Sequence, residues 1–489
     1  MPICAIAGLR GLMLPGPSLT VRPRPASVLV QIIVVAFVLR LLHLRAVLPL
    51  ELGHPPEVGM DRWLSMHIAT AVADGRWLGG WAAPYDSSPG YAYLLAALYR
   101  ICGRQWLGPL LIQIALGALV PLLVWDVGAR LFTPTVGTLA AVIAAIYAPA
   151  IFYETLLVKY ALLPFVVAAV LACAVRGWEG RGRWWFLAAG LALGALIELR
   201  PNNVLTAPVV AGWMVLGGRP PVFRGAASAL VVAVLGAALV MVPMAVREQA
   251  AVRRGAGSSL WGIHFYIGTN AAADGAYTPV PGVRDDIVGH IVDARAVAER
   301  RVGRVLAPSD VSWFWFREGL AFVRQHPGRY ALLEVKKAWL ALQGDEAGSF
   351  GDEFHDACRA SWVLRLPLLT FGAICPLAVI GLVAAVRQGR RAALLPLFTA
   401  GTMISLLIFF VEGRYRLPLV PPMVILAAAG IDRLAAACHR GRWLAVATGG
   451  AIVLTGAVAF AADNREAWLL LVLVILGVSV VSPPRSAAH

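Results

Sequence analysis

The sequence predicts an all-α integral membrane protein with about 12 transmembrane helices, interfacial helices in the first external loop and a small external α-rich segment. Three observations predict it. Of 489 residues, 59% are hydrophobic and only 14% charged, where an ordinary soluble domain carries roughly 25% charge; mean hydropathy is +0.74. Apolar runs of about 20 residues recur along the whole chain, the length a helix needs to satisfy its backbone inside lipid. The basic residues, finally, gather in short loops between those runs.

That placement explains the net charge of +15, which in a soluble protein would suggest nucleic acid. The stretch from Arg247 to Arg359 holds 14 Lys+Arg and 14 Asp+Glu, so it is neutral and the excess lies in the membrane part. Arg22 and Arg24, Arg176, Arg181 and Arg183, Arg219 and Arg224, Arg387, Arg390 and Arg391, and Arg440 and Arg442 mark cytoplasmic loops by the positive-inside rule. No nucleic-acid partner is expected.

The elements follow in order. Residues 1–26 read as a cytoplasmic tail leading into a retained first helix, because no small-residue cleavage site precedes a polar region. Residues 27–246 form an N-terminal transmembrane module, whose first span runs from about Val28 to Leu48. Its first loop, 51–89, has five acidic residues against two basic and is external. The apolar stretch Tyr91 to Ile101 is too short to span and is placed as an interfacial or partly inserted helix. Further spans read as about 107–127, 134–152, 156–175, 184–200, 203–217 and 225–246. Residues 247–360 are an external segment, rich in aromatics, with a helical stretch from Asp310 to Val323: a small folded domain or a set of lid helices on the membrane. Residues 361–489 supply the C-terminal spans, about 362–386, 392–411, 417–436, 443–461 and 467–481.

This threading brings Asp61, Glu154, Arg200, Arg414 and the neutral segment to one side. Asp61 opens an amphipathic helix in the loop GMDRWLSMHIATAVADGRW. A carboxylate there can act as a general base toward an acceptor hydroxyl or amine, or it can simply stabilise the positive end of its helix. Arg200 and Arg414 sit at external helix ends within reach of a lipid headgroup. Their guanidinium groups suit phosphate, although snorkelling at the interface explains them equally well. Arg416 and Lys336 are secondary phosphate candidates. Glu154 and Lys159, five residues apart, make either an ion pair or part of a site, and Glu198 with Arg200 poses the same choice. His264, Tyr266 and Asn270 are candidates to line a donor or acceptor pocket, against the alternative that they only pack.

Several chemistries find no support. The six cysteines lack metal or redox spacing. Asp274-Gly275 and Asp285-Asp286 lack the alternating ligands of a calcium loop. No phosphate-binding glycine loop, HExxH motif or nucleophile elbow occurs. No cofactor is expected, and dependence on a divalent metal is left open.

The first external loop, with its early acidic residue, aromatic interfacial helix and APYDSSPGYAY run, resembles that of the GT-C membrane glycosyltransferases, in the branch of the protein O-mannosyltransferases and the lipid A aminoarabinose transferase. IELRPNNVLTAP (197–208), HFYIGTNAAADGAYTPVPG (264–282), LAPSDVSWFWFREGLAFVRQHPGRYALLEVKK (306–337) and EGRYRLPLVPP (412–422) extend the resemblance in the expected order. The resemblance implies that 27–246 is the catalytic module and that Asp61 is the base. It also implies a polyprenyl-phosphate sugar donor and an extracytoplasmic protein, lipid or envelope-glycan acceptor. The site would face the periplasm or exterior of a bacterial plasma membrane, in contact with membrane lipid. The family often pairs its first acidic residue with another, whereas here Arg62 follows; a second carboxylate would come from Asp86 or Glu154. The competing class is a polytopic transporter or lipid-linked sugar flippase, disfavoured by the absence of an internal repeat and by charges lying at helix ends. A relative that binds such a donor without transferring it is a third reading.

Overall fold

A computed structural model describes residues 25–53, 60–80, 89–216, 223–253, 259–344, 346, 351–439 and 447–451. The described chain is helical, and its one β-bridge joins Tyr147 to Leu369. The first half runs α1 Pro25–Gly53, α2 Asp61–Ala73, α3 Gly90–Cys102, α4 Leu107–Ala118, α5 Val120–Leu131, α6 Pro134–Ala145, α7 Ala148–Tyr153, α8 Leu163–Trp178, α9 Trp184–Leu199, α10 Ala207–Leu216 and α11 Phe223–Arg253. The segment after it holds α12 Trp261–Ile267, α13 Ile287–Val302, α14 Pro308–Gln325, α15 Pro327–Leu342 and α16 Gly351–Ala360. The chain returns to apolar helices in α17 Phe371–Arg387, α18 Leu394–Leu407 and α19 Val420–His439.

Among the described residues, five stretches are long and apolar enough to cross a membrane: Ala26–Pro49, Leu107–Leu131, Lys159–Trp178, Ala227–Ala251 and Gly413–Ala437. Four shorter apolar helices, Pro134–Ala145, Trp184–Leu199, Phe371–Arg387 and Leu394–Leu407, pack among them. The protein is thus a multi-pass, all-α membrane protein. Twelve spans are not reached among the described residues, and the departures have local causes. The expected span 134–152 breaks after Ala145, where the chain bends into its bridge with Leu369 before α7 begins at Ala148-Pro149. The expected span 203–217 is a 3-10 turn, Pro201–Thr206, and a 10-residue helix, about 15 Å long. The expected span 362–386 becomes helical only at Phe371. Residues 452–489, with the last expected span, lie outside the described residues, as does most of 443–461.

Packing follows the pattern of small residues. Gly190 and Gly194 on α9 face α11 so closely that a β-carbon on Gly190 would stand 1.9 Å from the Ala233 carbonyl oxygen, the close approach by which helices associate in lipid. Between Ala229 and Val246 the exposed side chains of α11, among them Val231, Val234, Leu235, Leu239 and Val242, are all apolar, as a lipid-facing surface requires. The short α3 packs on α2 and α4, and its 13 residues give about 20 Å of length, too little to span. Helices α12, α13 and α14 enclose a second small core around Ile263, Ile267, Ala294, Val297 and Trp315, joined by Phe410 from the turn after α18.

Candidate active site

Four pieces of chain distant in sequence meet at the start of α2. Met60 is the N-cap of this helix, in extended conformation, and Asp61 its first residue. The Asp61 carboxylate reaches across to another element: Tyr160 Oη donates to Oδ2 at 2.7 Å, Lys159 Nζ stands 3.9 Å from Oδ1, and Arg414 Nη1 stands 3.7 Å from Oδ2. Lys159 and Tyr160 are placed by a 3-10 turn, Lys159–Leu162, that leads into α8. Arg414 and Tyr415 lie in a second 3-10 turn, Gly413–Leu419, at the head of α19. The first turn brings Lys159 and Tyr160 to Asp61, and the second brings Arg414 to Asp61 and Tyr415 to the Tyr160 ring.

Arg200 completes the group from the C-cap of α9, where its backbone is extended and the helix has ended before Pro201. Its guanidinium lies 3.6 Å from the Tyr415 ring centroid, and its Nε donates to Asn202 Oδ1 at 2.8 Å. The residue is 9% exposed, yet among the described residues its Nη1 finds no acceptor. Arg414 lies 5.2 Å from the same Tyr415 ring and 4.9 Å from that of Tyr160. Its Nε is 2.7 Å from Glu412 Oε2. Two phenol rings therefore hold two guanidinium groups in place by cation–π contact.

Burial tends to raise the Asp61 pKa, but Lys159, Arg414 and the Tyr160 hydroxyl outweigh it and hold the carboxyl below its ordinary value. Asp61 is therefore ionised at neutral pH. In neighbouring His264 burial prevails: reinforced by His290, it lowers the pKa to about 3, so the ring is neutral. His264 packs edge-on against His290 at 5.5 Å and Phe410 at 6.0 Å. His290 in turn meets the Tyr277 hydroxyl at 2.9 Å.

The other sequence candidates separate from this group. Glu154 pairs with Arg40 of α1, both almost completely buried, over Gly117, where a β-carbon would stand 2.1 Å from a Glu154 oxygen. This corrects the Glu154–Lys159 pair: the ionic partner of Glu154 is Arg40, while Lys159 turns to Asp61. The pairing of Glu198 with Arg200 gives way to the Asn202 contact. Arg416 is fully buried, 2.8 Å from Glu346 and beneath the Phe371 ring; it braces the core beside the site. Lys336, on α15, is 4.0 Å from Asp274 in the loop before α13. Asn270 spends its amide on the backbone of its own turn, donating to the Tyr266 and Ile267 carbonyls and accepting from Ala272. Tyr266 stacks on Trp315 in the small core, at 4.9 Å. Asp86 lies outside the described residues. Sequence reading overlooked Tyr160, Glu412, Tyr415 and His290. Glu412 and Tyr415 stood inside the EGRYRLPLVPP motif, flanking the arginine that drew attention.

Residues 86–246 match the family model described as dolichyl-phosphate-mannose-protein mannosyltransferase. This is the family that the sequence motifs resemble. The match covers about a third of the chain and includes Glu154, Lys159, Tyr160 and Arg200 of the residues above. No curated protein matches. Among solved structures, the oligosaccharyltransferase of Archaeoglobus fulgidus in its apo form is similar at a TM-score of 0.48 and 15% identity, over 94% of this chain and 57% of that one. ArnT from Cupriavidus metallidurans, solved with undecaprenyl phosphate, is similar at 0.45 and 15%, over 92% and 74%. The chain thus spans little more than half the length of the archaeal enzyme.

Proposed function

We propose that the protein is a glycosyltransferase that moves a sugar from a polyprenyl-phosphate donor to an extracytoplasmic protein, lipid or glycan acceptor, with inversion at the anomeric carbon. The observation that carries this reading is the buried Arg200 guanidinium, held on the Tyr415 ring with Nη1 unpartnered among the described residues, beside an ionised carboxylate. Lys159, Arg200 and Arg414 meet Asp61 and Glu412 here, three positive groups against two negative. A sugar phosphodiester carries one negative charge and would balance them.

In this reading Arg200 and Arg414 hold the donor phosphate through charge-assisted hydrogen bonds. The acceptor oxygen or nitrogen attacks the anomeric carbon as the bond from that carbon to the phosphate oxygen breaks. Asp61 takes the acceptor proton, and polyprenyl monophosphate leaves with the bond's electron pair. Charge grows on the phosphate in the transition state, where fixed guanidinium groups in a buried site stabilise it most. One displacement needs no covalent intermediate, and holding acceptor and donor in line removes an entropic barrier.

The test is transfer from a panel of defined polyprenyl-phosphate sugars to envelope acceptors, with the product's anomeric configuration read by NMR. A product opposite in configuration to its donor is expected. Retained configuration would overturn the single displacement, and no transfer from any donor by folded wild-type protein would overturn the activity.

A further inference from the structure

Helix α15 carries apolar side chains on both of its faces. Lys337 has no exposed surface: its ammonium lies 2.8 Å from Glu334 and donates to the Leu407 carbonyl at 2.9 Å. Leu332 and Val335, on the opposite face, are 72% and 68% exposed. A helix covering a soluble core keeps its outward face polar, whereas α15 is apolar on both sides, with Leu333, Trp339 and Ala341 buried beside Lys337 and Leu332 and Val335 exposed.

The position of α15 accounts for its apolar outer face. It packs against α17 and α18, and Leu407, which receives the Lys337 ammonium, is the last residue of α18. The lysine thus sits at the negative end of that helix dipole. Helix α18 has 14 residues, giving about 21 Å of length, whereas the hydrocarbon layer is about 30 Å thick. Ile404, one turn before the end of α18, is 57% exposed, and Leu397 47%. The apolar outer surface of α18 therefore stops short of the layer's edge, and the Leu332–Val335 face lies at the end where it stops.

We propose that α15 lies in the membrane, with Leu332 and Val335 against the acyl chains of the leaflet at the Leu407 end of α18. The inference is independent of the transferase activity, since it concerns how the segment between α11 and α17 is seated. The occupant is bulk phospholipid: α15 packs on α18, whose outer side chains Leu397 and Ile404 are themselves exposed and apolar, and the charged side chain one turn from Leu332, Lys336, is turned to Asp274. Arg324 and Arg329, exposed at the turn joining α14 to α15, are placed to meet headgroup phosphates at the edge of this seat.

The test places one environment-sensitive fluorescent side chain at position 332, 335 or 305 of the otherwise native full-length protein, in vesicles of mixed zwitterionic and anionic phospholipid. Val305, 75% exposed on the loop after α13, serves as the aqueous reference. At 332 and 335 the expected emission is blue-shifted, quenched severalfold more by brominated acyl chains than by iodide, with the reverse at 305. Iodide quenching at 332 and 335 equal to that at 305 would overturn the proposal. Protection from both quenchers would overturn it too, because it would mean that protein covers the face.

Discussion

Arg414 divides its guanidinium between two carboxylates, with Nε 2.7 Å from Glu412 and Nη1 3.7 Å from Asp61. The nearer partner is Glu412, so Asp61 is held within the field of the cation without being locked to it. A phosphate arriving at Arg414 and Arg200 would compete for the same positive charge, leaving Asp61 less stabilised as an anion and a stronger base. In this account donor binding prepares the base.

Arg200→Ala should raise the donor's KM by roughly tenfold or more, since a charge-assisted contact in a buried site is worth about 1.5–3 kcal/mol. Arg200→Lys should recover little, because an ammonium cannot reproduce a planar group stacked on Tyr415. Initial rates against donor concentration decide this. An unchanged KM in both variants would remove Arg200 from the donor site.

Tyr160→Phe deletes a hydrogen bond that favours the charged form of Asp61, so the carboxyl pKa should rise. A base must be ionised to act, so the acid limb of the kcat/KM profile should move to higher pH. Stability carries the matching sign. The Asp61 pKa is depressed by folding, so its contribution is present above the ordinary carboxylate value and is lost as pH falls through the folded one. Thermal unfolding of wild type and Asp61→Asn should accordingly differ at neutral pH and converge in acid.

His264 should not titrate between pH 5 and 8, its pKa being lowered to about 3 by burial and by His290. The unfolded ring takes up a proton near pH 6.5 while the folded one refuses it, so this residue costs stability progressively as pH falls from 6.5 toward 3. His264→Gln should flatten that acid loss. A His264 ring resonance titrating near pH 6.5 in the NMR spectrum of specifically labelled protein would contradict the burial argument.

Glu154→Ala leaves the Arg40 guanidinium buried without its carboxylate, which should cost about 3–5 kcal/mol of stability. Protein that still folds should keep transfer close to wild type, because the pair belongs to the packing of α1 and not to the Asp61 group. Loss of activity without loss of thermal stability would return Glu154 to the site.

These contrasts show what the sequence could convey. Helical class and membrane setting were legible because apolar run length and the placement of arginines are local properties; Arg200 and Arg414 stood out as charges at the ends of apolar runs, and Asp61 as the acid opening the amphipathic helix of the first loop. Contacts across the fold were not legible. The spacing of Glu154 and Lys159 suggested a pair, but two helices from distant parts of the chain supply their actual partners, Arg40 and Asp61. Tyr160 and Tyr415 carried no charge to draw notice, and their role in holding Arg200 and Arg414 arises only where two 3-10 turns converge. The start of α17 at Phe371 rather than near 362 was hidden for the same reason, since Leu369 is drawn into a bridge with Tyr147 from the other half of the chain.

The central claim is that Asp61 is the base of a sugar transfer, and the most direct measurement is transfer of radiolabelled sugar from polyprenyl-phosphate donors by membranes bearing wild-type or Asp61→Asn protein at equal folded amount. The amide keeps the shape of the carboxylate and loses its basicity, so the account predicts retained donor binding with transfer lowered by about 10²–10⁴-fold. Transfer by the variant at the wild-type rate would contradict it.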